Sequence, residues 1–599
     1  MSADIEKIAV FDSRIVQSRP KYGVEKGALS LTNAPFRAIS QSSSQHTYNI
    51  YSPSENVYVG RDIRWTSTAF LQMTLTNTTG APLPVGSTLL TAGLDWAFAP
   101  FPLTQMVSTM SATINDTTSV INTQDVLTQV LRLTDYKKNR LQRTCPTMLD
   151  TYSSYDDAFG ALNNPLADVT VTKDYDNKPN GAYSRWSYTN SLGAVSSYVS
   201  SGVTVNISAD NSLVIGGATP LGAGSSVSVY VALTSTEKLV ISPFVFAEEY
   251  QEDTGLFGIN NIQMIMNMNS DVSRVVRSTT RNGRTLSQIA LNATSIAGQF
   301  ANSILNVQFF TPSLDVPLPP KSVVPYMEFP RYITAAGNFN GGEALTIQSQ
   351  TITLPQIPDL LIIYAKPQSY GAQDGDFVLA VDTESSAPLS VNFDNFSGLL
   401  SSATAEQLYA MSVENGLDMD WDTWRGVGRS ASGAYGTHVP GGLVPLVGGA
   451  IVLKPGKDIT LQTGQAPSLV GNFTLQFNIR LRNTRPTAVN NVQLFVITAN
   501  SGFFESIRGS SRIIKTLLSE QDIIGATTGA PRATLARHVG GLSFSSLANA
   551  FNMAKDLYQK TKPVLGVVDQ VLGQGTGAGT GAGTGGAKHS KKSLMARLM

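Results

Sequence analysis

Three carboxylates stand at alternate positions in Asp418-Met-Asp-Trp-Asp422, the spacing with which a calcium loop places its first ligands. The pattern stops there. The sixth position, where the sharp turn needs Gly, is Thr423, and the twelfth, where a bidentate Glu closes the cage, is Arg429. A polar loop held by Trp421 and Trp424 is expected instead. Pro455-Gly-Lys-Asp458 lacks the parts of a phosphate loop: the Gly required five residues before Gly456 is Ile451, and no Ser or Thr follows Lys457. A turn is expected there. His46, His438, His538 and His589 include no pair at helical metal-ligand spacing. There is no Gly-x-Ser-x-Gly elbow, and Cys145, in Thr-Cys-Pro, has the context of a small core residue. A Ser-His-Asp triad needs no sequence adjacency, yet no motif here supports an enzyme. No catalytic, cofactor-binding or metal residue is assigned.

The elements that would position any site follow a period of two. In Phe473-Thr-Leu-Gln-Phe-Asn-Ile-Arg-Leu-Arg482 apolar residues at 473, 475, 477, 479 and 481 alternate with polar ones. Successive strand side chains point to opposite faces, so this is a strand with one buried and one wet face. The pattern recurs at Val227, Val229, Val231, Leu233 and at Ile262, Met264, Met266, Met268. The chain is expected to be all-β and mostly antiparallel.

Net charge is zero, from 43 basic and 43 acidic residues, which argues against a globally basic nucleic-acid binder. Charged residues make up 14% of the chain against a typical ~25%, a composition that suits dense packing of many copies. A single cysteine excludes an internal disulfide framework. The N-terminus lacks a basic-then-apolar signal and no stretch reaches the ~18 apolar residues of a membrane span, so synthesis in a reducing compartment is expected.

Residues 1–46 are polar and irregular and are expected to form an arm. Strand signals then fill 47–312, interrupted by a 150–225 insertion rich in Ser, Thr, Asn and Gly. The hinge Thr311-Pro-Ser-Leu-Asp-Val-Pro-Leu-Pro-Pro320 marks a boundary before a second strand-rich unit, 321–505. That unit carries a 382–450 insertion in which Thr404 is a candidate helix cap. Leu345 to Leu354 is expected as one strand stretch, and Arg512 to Leu518 as a short helix.

The segment 506–599 differs in chemistry. Phe544, Leu547, Ala548, Phe551, Ala554 and Tyr558 mark one face of an amphipathic helix, which could dock on the chain's own sheets, on a partner protein or on a membrane. A Gly-Thr-Ala linker, 573–586, leads to a basic end in which Lys588, Lys591, Lys592 and Arg597 could make weak phosphate contacts with nucleic acid.

Several segments, in this order, carry a resemblance: Ala99-Pro-Phe-Pro-Leu-Thr-Gln105, Leu354-Pro-Gln-Ile-Pro-Asp-Leu-Leu-Ile-Ile-Tyr364, Ser397-Gly-Leu-Leu-Ser-Ser402, Leu408-Tyr-Ala-Met-Ser412, and Gly456-Lys-Asp-Ile-Thr-Leu461 before the 473–482 strand. Together they resemble the double jelly-roll major capsid proteins of the adenovirus and tectivirus lineage, particularly those of polinton-like viruses and virophages. The resemblance implies two adjacent eight-stranded jelly rolls. It further implies homotrimers forming pseudo-hexagonal capsomers, an icosahedral shell around double-stranded DNA, and penton and minor capsid proteins as partners, without a cofactor. It also implies maturation cleavage after paired glycines, for which Gly540-Gly541 is a candidate, although pairs also begin at 216, 341, 441, 448 and 585. Two other readings remain open at this level: a virion fibre or receptor-binding β protein, and a single-jelly-roll shell protein with an unlike protruding domain.

Overall fold

A computed structural model describes residues 30–515, apart from 55–56, 93–94, 100, 134–152, 154–184, 191–192, 245–254, 270, 279–283, 292–298, 312–321 and 430–442. The first half contributes eight principal strands: β1 Ser30–Arg37, β2 Gln45–Tyr51, β3 Arg64–Asn77, β4 Val107–Ile114, β5 Thr117–Ile121, β6 Ser226–Lys238, β7 Asn261–Met268 and β8 Phe300–Thr311. They pair in the orders β1-β8-β3-β6 and β2-β7-β4-β5, every ladder antiparallel. The second half contributes β9 Ser322–Glu328, β10 Ala344–Gln348, β11 Leu360–Pro367, β12 Leu389–Phe393, β13 Phe396–Leu399, β14 Ile451–Leu453, β15 Val470–Arg482 and β16 Val489–Ile507. These pair as β9-β16-β11-β14 and β10-β15-β12-β13. Subtracting eight from each label reproduces the first pair of sheets. This is the jelly-roll order, occurring twice. The single-jelly-roll reading required an unlike second domain, and two sandwiches of like topology replace it.

Alternation builds each core. Along β3 every second side chain, from Trp65 through Ala69, Leu71 and Met73 to Leu75, is buried, and the intervening ones are partly exposed. The two sheets of the first sandwich meet where His46 of β2 packs edge-on against Trp65 of β3 and Phe300 of β8, with ring centroids 5.8 and 4.3 Å apart. On β15, Phe473, Leu475, Phe477, Ile479 and Leu481 all face the second core, as their spacing predicts.

Strand β1 and the first two residues of β2, Gln45 and His46, fall within the 1–46 segment, β1 pairing along its length with β8. Within 150–225, strands from Ser197 to Gly216 form a separate sheet with Thr88–Thr91. The 382–450 segment holds core strands β12 and β13 besides a helix. Two local expectations fail. Residues 345–354 are split between β10 and Ile352–Gln356, both on β15, and Ser510–Ile514 is a strand on β16 instead of a helix. In the second case pairing with the long β16 edge outweighs local helical preference, because tertiary context overrides propensity. The amphipathic helix, the linker and the basic end lie outside the described residues, as does the 312–320 part of the hinge.

Candidate functional site at the seam between the sandwiches

The first sandwich meets the second through the helix that follows β5. Helix α1, Thr123–Leu131, carries Asp125 in its first turn, where a carboxylate complements the helix dipole. The Asp125 carboxylate takes Lys366 of β11 at 2.8 Å and also pairs with Arg331, at the start of the strand Arg331–Phe339 that continues β9. Backbone carbonyls of α1 complete the contact: Tyr364 Oη donates to Asp125 O, Lys366 Nζ to Gln124 O at 3.3 Å, and Arg274 Nη1 to Gln124 O at 2.9 Å.

A second carboxylate lies beside the first. Asp376, in the loop after β11, binds Arg274 at 2.9 Å and Arg277 at 3.2 Å, both from the segment after β7. Arg274 lies over the Tyr370 ring at 5.2 Å, and Lys366 over Phe495 at 5.0 Å. The aromatic faces thus add to the charge compensation. Burial alone would raise the Asp376 carboxyl; Arg277 and Arg274 overcome it and hold the group well below the usual carboxylate range. Burial, reinforced by Arg274 and Arg331, lowers Lys366 well below an ordinary lysine, with Asp376 opposing the shift. Burial likewise raises the Tyr364 and Tyr370 hydroxyls, so both remain protonated hydrogen-bond donors.

A clasp at the β4–β5 turn adds to this lock. Ser511 N donates to Asp116 Oδ1 at 2.7 Å, Ser510 Oγ to Asp116 Oδ2 at 3.1 Å, and Thr117 Oγ1 to Ser511 O at 2.7 Å. The tip of the 507–510 hairpin sits on Gly258, with Gly509 N donating to Gly258 O at 2.9 Å. These amide and hydroxyl donors hold the Asp116 carboxyl low. Tyr326 Oη to Ser119 Oγ at 3.3 Å and Met327 N to Ser242 Oγ at 3.0 Å extend the seam along β9. The arrangement is an interdomain lock. It offers no nucleophile beside a base.

The residues singled out by spacing serve other ends. Asp420 caps the short helix Trp421–Trp424 through Thr423 N at 2.8 Å, Asp422 pairs with Arg425 at 2.7 Å, and Asp418 N donates to Arg132 O at 2.8 Å. Among the described residues no group of three His, Cys, Asp or Glu side chains is placed to hold a metal. On the wet face of β15, Arg480 and Arg482 bind Asp382 at 2.7 and 3.0 Å within their own sandwich. Gly540, Gly541, Lys588, Lys591, Lys592 and Arg597 lie outside the described residues, as do Cys145, His438, His538 and His589. Asp125, Arg274, Arg277, Arg331, Lys366 and Asp376 drew no attention from spacing. The available signal was Lys366, a cation closing the apolar run Leu360–Ala365, where a buried partner is required.

Comparison with known proteins agrees with this architecture. A family model described as the Sputnik virophage major capsid protein first domain matches residues 3–310, and one described as the major capsid protein V20 C-terminal domain matches 329–502. The chain is 26% identical over 559 residues to capsid protein V20 of Sputnik virophage, covering 90% of this chain and 85% of that protein. It is similar in fold to a chain of the Sputnik virophage structure, with a TM-score of 0.67 and 23% identity over 89% of this chain and 98% of that one. It is also similar to the mavirus major capsid protein, with a TM-score of 0.59 and 14% identity over 87% and 96% of the two chains. Two like jelly rolls locked by buried charge, with a family match to each, establish that the chain belongs to the Sputnik virophage major capsid protein family and serves as a major capsid protein of a virion.

Proposed function

We propose that three copies of this chain close into a pseudo-hexagonal capsomer and that capsomers tile an icosahedral shell around the genome. One observation carries this: each chain supplies two sandwiches of identical strand order fixed side by side, so it contributes two near-equivalent units to a ring of six. The buried seam supports the reading, since a ring closes only if the angle between its units is held. The protein works by assembly with copies of itself and without turnover. Penton and minor capsid proteins fill positions a six-unit ring cannot. In the 506–599 segment, the basic end with Lys588, Lys591, Lys592 and Arg597 makes weak, salt-sensitive contact with genomic nucleic acid, and Gly540-Gly541 is a maturation site.

Light scattering on the size-exclusion peak, with negative-stain microscopy, tests the capsomer: three-chain particles of hexagonal outline are expected. Persistent monomers at high concentration would refute it, and elongated particles would favour a fibre. Mass spectrometry of purified particles that finds Met599 intact would remove the cleavage proposal.

A further inference from the structure

The turn Pro455-Gly-Lys-Asp458 lacks the parts of a phosphate loop, and the fold sets it against the end of the helix Ala405–Glu414. Gly456, at a φ of 83°, donates its N–H to Ile459 O at 2.8 Å, and Asp458 N donates to Lys454 O at 2.9 Å. Residues with a Cβ rarely take that φ, so the glycine fixes the turn. Asn415 caps the helix, its N–H donating to Met411 O at 3.0 Å. Backbone hydrogen bonds thus hold both sides of the contact in place.

Four side chains converge there. Lys457 Nζ donates to Glu414 Oε2 at 2.9 Å and to Asn415 Oδ1 at 3.3 Å. Asn415 Nδ2 donates to Asp458 Oδ2 at 2.6 Å and to Val452 O at 3.0 Å. Only the NH2 group can face two acceptors, which fixes the orientation of the amide. Asp458 Oδ2 also accepts from Lys454 N at 2.8 Å, so it is held beside the amide nitrogen. An amine therefore stands against an amide carbonyl, with one carboxylate on the amine and a second on the amide nitrogen. An exposed ion pair needs neither the amide nor the second acid, and with its members 43% and 66% exposed it contributes little to stability.

We propose that Lys457 and Asn415 join in an isopeptide bond once the chain has folded. Glu414 takes a proton from the Lys457 ammonium, and the free amine attacks Asn415 Cγ, one bond beyond the oxygen it already contacts. The Nζ–Cγ bond forms and the Cγ–Nδ2 bond breaks. A proton of the attacking nitrogen passes to Nδ2 through Asp458, and the departing ammonia takes up the proton held by Glu414. An ammonium and a primary amide thereby become a secondary amide and an ammonium ion, without oxidant or cofactor. Holding amine and amide in one geometry supplies the effective concentration that free groups lack. The reaction runs once per chain and ties positions 42 apart. Such a bond constrains the unfolded chain as a disulfide does, a constraint that a chain with one cysteine cannot obtain from thiols.

Intact-mass and peptide mass spectrometry of the full chain, followed during incubation at mildly alkaline pH, tests it. The wild type is expected to become one ammonia lighter and to yield a branched peptide joining Asn415 to Lys457. Lys457→Arg keeps the charge but has no amine that can attack, and it is expected to retain its full mass. Glu414→Gln is expected to slow the loss by about 10²-fold or more. Loss of ammonia that persists in Lys457→Arg would overturn the proposal, because it reports cyclisation at an Asn-Gly pair such as Asn415-Gly416. A wild type that stays at full mass, with Lys457 recovered only in a linear peptide, would also overturn it. Both results are independent of how many chains associate, so the capsomer is tested separately.

Discussion

Replacing Asp376 with Asn removes one negative charge from the seam and preserves its shape. The carboxylate is 4% exposed, and its partners Arg274 and Arg277 are 6% and 1% exposed, so neither guanidinium can turn to water for compensation. Breaking a buried pair from one side costs about 3–5 kcal/mol, because the remaining charge stays desolvated. With a urea slope of about 3 kcal/mol per molar, that loss lowers the unfolding midpoint by about 1–2 M. The assay is equilibrium urea unfolding of the Asp376→Asn variant beside the wild type, followed by fluorescence, with buried Trp65 reporting from the first sandwich and buried Trp424 from the second. Acid dependence gives a second readout. The folded carboxyl is held below its unfolded value, so its contribution is complete above about pH 4 and disappears as pH falls further. The Asn variant should lose that part of the acid slope. Exchanging the group with one of its cations, Asp376→Leu with Arg277→Met, should recover part of the loss. A single-variant loss below about 1 kcal/mol would refute the view that these charges hold the sandwiches together.

Three further outcomes follow from local geometry. Burial holds His46 neutral with a pKa of about 4, against an unfolded value near 6.5; stability is therefore complete above pH 6.5 and falls by about 3 kcal/mol as pH drops to 4. His46→Phe should flatten stability over that interval, as measured by urea midpoints at stepped pH. Thr404 and Gln407 form a capping box on the helix Ala405–Glu414, so Thr404→Ala should cost about 1 kcal/mol in the same unfolding assay. A Cβ on Gly258, whose φ is +71°, would lie 2.7 Å from Arg508 N. Gly258→Ala should accordingly raise amide exchange at Ser511 and Gly509 by releasing the clasp, while Thr404→Ala should not.

The sequence by itself determined what is local. Alternation from Phe473 to Leu481 places a strand and its buried face from one segment, because side-chain direction follows from backbone pleating alone. Thr404, three residues before Gln407, announces a helix start for the same reason, since both partners lie within one turn. The 3.6-residue spacing of Val126, Leu127, Val130 and Leu131 announces α1 in the same way. The resemblance carried by the ordered segments supplied the double jelly roll, which no single period could, because strand order within a sheet is a matter of long-range pairing. Only the tertiary structure decided which charges matter. Asp125 and Lys366 are 241 residues apart, and Arg274 and Asp376 are 102 apart, so nothing in either local context marks a partner. The same holds for Arg512 to Ile514, which become strand because the edge of β16 offers them paired hydrogen bonds that an isolated helix turn cannot match. Period and capping act over a few residues and can be read along the chain. Charge compensation acts through space under burial, and it becomes visible only once the two sandwiches stand side by side.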